Sequence, residues 1–153
     1  MSAEQGWTSR LVALSVAAAV AVSVIYIPQS LLTNLARDLG VAAGRAGLVA
    51  TAVQAGYALG ILLLVPLADR IHPRRQVTVQ TLLLAAALVV SSVLPTVLSL
   101  AVGFAVVGLV ANIAQVIIPA ASRLAPPERR GTTTATIVGS LSVGIFGGRI
   151  VAS

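Results

Sequence analysis

The sequence contains no cysteine. That excludes disulfide frameworks, thiolate metal sites and cysteine nucleophiles. It contains no lysine either, so all ten basic residues are arginines, and charged residues of both signs reach only 9%, against about 25% in soluble domains. Carboxylates are the scarcest of all: Glu4, Asp38, Asp69 and Glu128, each at or near a break between apolar runs. No nucleophile–base pair, metal-ligand cluster or phosphate-cradling loop is visible, which argues against an enzyme. The net charge of +6 does not point to nucleic acid, because the arginines fall in short connections between apolar runs and form no basic face.

What remains is hydrophobic. Apolar residues make up 58% of the 153 residues, and the mean hydropathy is +1.01. A chain of this size cannot hide that much apolar surface in water, so its surroundings must include the lipid bilayer. A spanning helix needs roughly 20 mainly apolar residues, and five runs are expected to supply one: about 11–35, 46–67, 77–94, 97–121 and 132–153. Helices are expected over a barrel because the runs are apolar throughout and do not alternate. The first run, Leu11 to Ile27, exceeds the roughly 7–15 residues of a signal-peptide core, so it is expected to be retained. The fold class expected is an all-α, polytopic membrane bundle.

The connections carry turn and charge chemistry. Pro95-Thr96 makes a tight hairpin between the third and fourth runs, and Pro126-Pro127 ends the fourth. Arg10, the second connection (Arg70, Arg74, Arg75) and the fourth (Arg123, Arg129, Arg130) hold seven arginines, while the first holds Arg37 and Arg45 and the third none. The positive-inside rule then predicts a cytoplasmic N-terminus and cytoplasmic even-numbered connections. An internal echo is also present: Leu35-Ala36 precedes Gly56-x-x-x-Gly60 much as Leu124-Ala125 precedes Gly144-x-x-x-Gly148. A three-helix unit used twice is one reading; common small-residue spacing in membrane helices is the other.

Several residues could carry chemistry. Asp69 follows the second run directly and can pair with an arginine or with a neighbouring helix terminus. Arg70, Arg74 and Arg75 either complete such a clasp or simply set topology. Ser140, Gly144 and Gly148 lie on one ridge with four-residue spacing, as Gly56 and Gly60 do, and suit close helix packing. Arg149 lies well inside an apolar run, where a charge costs roughly 2.5–3.5 kcal/mol on insertion scales. It either faces a cavity or snorkels to the outer interface. Tyr26, Gln29, Asn112 and Gln115 are further intramembrane polar residues, each able to serve as an interhelical hydrogen-bond partner.

The stretch from Pro66 to Gln76, PLADRIHPRRQ, resembles the signature G-x-L-A-D-R-x-G-R-R of the major facilitator superfamily. Leu67, Ala68, Asp69, Arg70 and Arg74 match it, while Val65, His72 and Pro73 depart from it. Ile25 to Val41, Gln115 to Gly131 and Gly139 to Ser153 look like the first, fourth and fifth helices of bacterial efflux members. Ser140, Gly144 and Gly148 follow the spacing of the antiporter signature G-x-x-x-G-P-x-x-G-G, with Ser140, Ile145 and Arg149 replacing three of its residues.

The resemblance implies five helices of a six-helix N-terminal half. It also implies a cytoplasmic gating motif at Asp69, Arg70, Arg74 and Arg75, and substrate-side positions at Tyr26, Gln29, Asn112 and Gln115, with Arg149 as a further cavity candidate. The function expected is transport of a small molecule by alternating access, as efflux across a bacterial inner membrane, within a longer transporter. The partners expected are the substrate and either the remaining helices or a second copy. No cofactor is expected; if protons drive transport, their relay must use Asp69 or lie in other helices. The alternative is a short membrane-embedded scaffold or oligomerisation partner.

Overall fold

The computed structural model describes residues 2–30 and 32–151; within these, the side chains of residues 2–5, 30, 32, 33, 148, 149 and 151 are outside the description. The described residues form helices joined by short turns. They are α1 (Ser2–Ser30), α2 (Leu32–Asp38), α3 (Ala43–Leu64), α4 (Pro73–Ser91), α5 (Val97–Val110), α6 (Ile113–Leu124) and α7 (Arg130–Val151), with single 3₁₀ turns at Pro66–Asp69 and Pro127–Arg129.

Local chemistry sets the ends. Gly40 adopts φ +62° after α2. Its N–H reaches the Arg37 carbonyl (3.2 Å), and the Val41 N–H reaches that of Ala36 (3.0 Å), a left-handed cap that favours glycine. His72 caps α4: its Nδ1 accepts from the Arg74 N–H at 3.3 Å, with Pro73 in the first helical position. Thr96 and Ser99 form a reciprocal capping box at the start of α5, so a tight turn still satisfies the first free amides.

One of the expected helices is divided: 97–121 becomes α5 and α6, interrupted at Ala111 and Asn112. This interruption has a visible cause. The Asn112 Nδ2 donates to the Leu109 carbonyl at 2.8 Å, the acceptor that a continuous helix would offer to the backbone, so side chain and backbone compete for it.

Among the described residues, three stretches are long and apolar enough to cross a membrane: Gly6–Gln29, Ala43–Asp69 and Val97–Leu124. The helices α4 and α7 complete the bundle, α4 by packing on α5 and α6 and α7 by packing on α1 and α6.

The largest helix–helix interfaces are α3 with α5 and α1 with α7; α4 lies along α5 and α6, and α6 also touches α1 and α7. A continuous core of small and branched residues joins them, including Ala18, Ile25, Val53, Val107, Ile117 and Ile137. The outward faces are apolar too. Val12, Leu62, Leu82, Val90, Val143 and Phe146 are all exposed, the arrangement expected where the solvent is hydrocarbon. The fold is thus an all-α membrane bundle.

Candidate functional site

Glycines set how closely the helices approach. A Cβ added at Gly56 would fall on the Ala105 carbonyl of α5, and one at Gly108 on the Val53 carbonyl of α3. The two backbones therefore cross in contact. A Cβ at Gly144 would fall on the Ala19 carbonyl of α1, and the Ser140 hydroxyl donates to the Ser15 carbonyl at 3.0 Å. The crossing of α7 on α1 thus repeats that of α3 on α5. Gly148 lies on α7, but its side-chain environment is outside the described residues. Gly108 was not foreseen; the need for a small residue opposite a Gly56/Gly60 ridge is the signal that points to it.

At one end of the bundle, Asp69 and Arg123 form an ion pair, Nη2 to Oδ1 at 3.7 Å, with both side chains about three-quarters exposed (74% and 73%). The carboxylate that ends the α3 segment thereby reaches the last turn of α6. Its sequence neighbours Arg70, Arg74 and Arg75 are exposed at the same end. Sequence reasoning placed Arg123 only among the orienting arginines. Its partnership spans 54 positions, and no local pattern announces it. Nearby, the Arg130 Nε donates to the Ala125 carbonyl at 3.4 Å, tying the start of α7 to the end of α6.

Further in, a line of buried amides runs along α4. The Gln76 Nε2 donates to the Leu64 carbonyl, the last residue of α3, at 2.6 Å. The Gln80 Nε2 donates to the Asn112 Oδ1 at 2.8 Å, and Asn112 passes its own N–H to Leu109. Gly60 makes room: a Cβ there would strike the Asn112 side chain and the Leu109 carbonyl. Gln76, Gln80 and Asn112 are 5%, 3% and 0% exposed. Next along α6, the Gln115 Nε2 meets the Tyr57 hydroxyl at 3.2 Å.

These contacts correct one expected site residue. Asn112 does not line an open cavity; α3 and α4 enclose it, and both ends of its amide are engaged. Gln115 is half-buried and bonded to α3, and Tyr26 and Gln29 are half-buried late in α1. Arg149 lies on α7 with its side chain outside the described residues. A cleft of about 470 Å³ opens at the far end, lined by Leu39, Val41, Arg45, Leu48, Thr96 and Leu98 among others; it contains none of the expected site residues. Gln76 and Gln80 were missed because they open a run that reads as apolar from Val77 onward.

The family model described as Major Facilitator Superfamily matches residues 12–153. The Escherichia coli protein named "Uncharacterized transporter YgaY" is 38% identical over 142 residues, covering 93% of this chain and 36% of that protein. The Streptomyces coelicolor protein named "Probable transporter SCO4007" is 28% identical over 138 residues, covering 90% of this chain and 32% of that protein. The chain spans about a third of the length of the curated relatives it matches. No solved structure matches at a significant level.

Proposed function

The chain belongs to the major facilitator superfamily, and on that premise we propose that it supplies the first helices of a longer transporter that expels a small molecule from a bacterial cell by alternating access. The remaining helices close the substrate path. The N-terminus lies in the cytoplasm of an inner-membrane protein, which is the side favoured by the arginine distribution.

The observation that carries this reading is the Asp69–Arg123 pair. It joins the ends of α3 and α6 where the arginine-rich connections gather, so it acts as a cytoplasmic clasp. An exposed pair contributes only about 0–1 kcal/mol. That is too little to hold the fold together, but it suits a contact broken and remade in each cycle. Arg70, Arg74 and Arg75 keep the carboxylate among alternative cationic partners on the same face. On the substrate side, Tyr26 and Gln29 of α1 and Gln115 of α6 are the residues proposed to meet the cargo, with Arg149 adding positive charge. No carboxylate among the described residues lies deep in a helix, so any proton coupling within them runs through Asp69.

The test is transport by the full gene product in vesicles. Asp69→Asn and Arg123→Gln should each lower the transport rate while leaving the melting temperature unchanged. The exchanged pair Asp69→Arg with Arg123→Asp should recover part of the loss. Wild-type transport by both single variants would remove the clasp from the mechanism. Accumulation of substrate in place of its expulsion would reverse the direction proposed.

A further inference from the structure

Membrane helices normally turn polar residues inward only where those residues find partners. Along α4 the outward face is apolar, with Val79, Leu82, Leu83, Val89 and Val90 exposed, whereas Gln76, Gln80 and Ser91 are buried. The donors of Gln76 and Gln80 are engaged, but Gln76 Oε1 and Gln80 Oε1 accept no hydrogen bond from the protein.

The orientation of these amides is dictated by the backbone. The Leu64 and Leu109 carbonyls can only accept. Gln76 must therefore present its N–H₂ to Leu64, leaving its oxygen on the other side. Asn112 must present its N–H₂ to Leu109, which turns Oδ1 toward α4. Gln80 must then donate to that oxygen, leaving its own Oε1 free. Flipping any of the three amides would set oxygen against oxygen. The two free acceptors are thus imposed by neighbouring helix ends, and they stand four residues apart on one face of α4, a spacing at which side chains are neighbours.

We propose that a single buried water molecule binds between Gln76 and Gln80, donating one hydrogen to each Oε1. Water carries two donors, and the seam offers two acceptors. Holding one water in place costs less than leaving two amide oxygens dry. A metal cation is disfavoured at this position: the N-terminal end of α4 points its positive dipole here, and Arg74 and Arg75 precede Gln76 directly. The site differs from the clasp and from the residues proposed to meet cargo, and it stands or falls independently of transport. Its occupant hydrates the seam beside the interruption between α5 and α6, where a mobile donor can exchange partners as helices shift.

The test is water-edited solid-state NMR on the protein carrying isotope-labelled glutamine in phospholipid bilayers. Gln76→Leu and Gln80→Leu assign the two side-chain amide signals. Polarisation should pass from water to both amides in the wild type. In Gln80→Leu the transfer to Gln76 should be lost, because the two share one molecule, while circular dichroism confirms that the helices persist. Absence of transfer at both amides in the wild type would overturn the proposal. So would unchanged transfer to Gln76 in Gln80→Leu. A shift of either signal when sodium replaces choline would mean that an ion occupies the site, which would also overturn it.

Discussion

Replacing Gly56 by alanine tests the packing directly, because one methyl group has two opposing effects whose sizes can be compared. Alanine favours the helix over glycine by about 0.8–1.0 kcal/mol. At Gly56 that gain is opposed, because the new Cβ would occupy the place of the Ala105 carbonyl. The obstacle is backbone, so no side chain can rotate away, and α3 and α5 must separate along their interface. Forcing extra atoms into a close-packed contact costs roughly 1–3 kcal/mol. Losing Cα–H···O contacts between the helices adds about 0.5–1 kcal/mol for each.

The net expectation for Gly56→Ala is destabilisation by about 1–3 kcal/mol. Gly47→Ala and Gly139→Ala provide the opposite case. Nothing lies within 4 Å of a Cβ at either position, so only the propensity gain remains and both variants should be neutral or slightly stabilised. Gly108→Ala should behave like Gly56→Ala. The double variant should cost less than the sum, since one separation of α3 from α5 accommodates both methyl groups. Unfolding in mixed micelles, followed by helical circular dichroism and by the fluorescence of the single tryptophan, Trp7, measures all five proteins. Equal stability of Gly56→Ala and Gly47→Ala would refute the backbone contact.

Three other perturbations have defined outcomes. Asn112→Ala removes the link between α4 and α6 and leaves the Gln80 donor buried without a partner, so the same unfolding assay should show a loss of about 1–3 kcal/mol. Thr96→Ala breaks the capping box at α5 and should lower stability by about 1 kcal/mol, with faster amide exchange at the N–H groups of residues 97–99. Neutralising Asp69 or Arg123 should leave the unfolding midpoint within about 0.5 kcal/mol of wild type while transport falls.

Much of the architecture was legible because a lipid environment makes length and hydropathy decisive: an apolar run must become a helix. Pairwise geometry was less legible. Gly56, Gly60 and Gly144 announced a close approach through their spacing, but the backbone each one meets belongs to a helix far along the chain. The interruption at Ala111 and Asn112 carries no proline or glycine. It arises because Asn112, acceptable in any membrane helix, meets Gln80 and a gap left by Gly60. The same tertiary contact turned Asn112 from a cavity candidate into an enclosed one. Asp69 was recognisable from its motif, whereas Arg123 became its partner only when α6 ended beside the 3₁₀ turn at Pro66–Asp69.

The repeated crossing, α3 on α5 and α7 on α1, has a consequence for biosynthesis. In order of synthesis α1 precedes its principal companion α7 by the whole of the intervening chain, and α3 must likewise wait for α5. Until then each sits in the bilayer with its glycine or alanine groove facing lipid tails or insertion machinery. Neither crossing can close until its later helix has been made, so the small-residue faces of α1 and α3 stay uncovered for that interval.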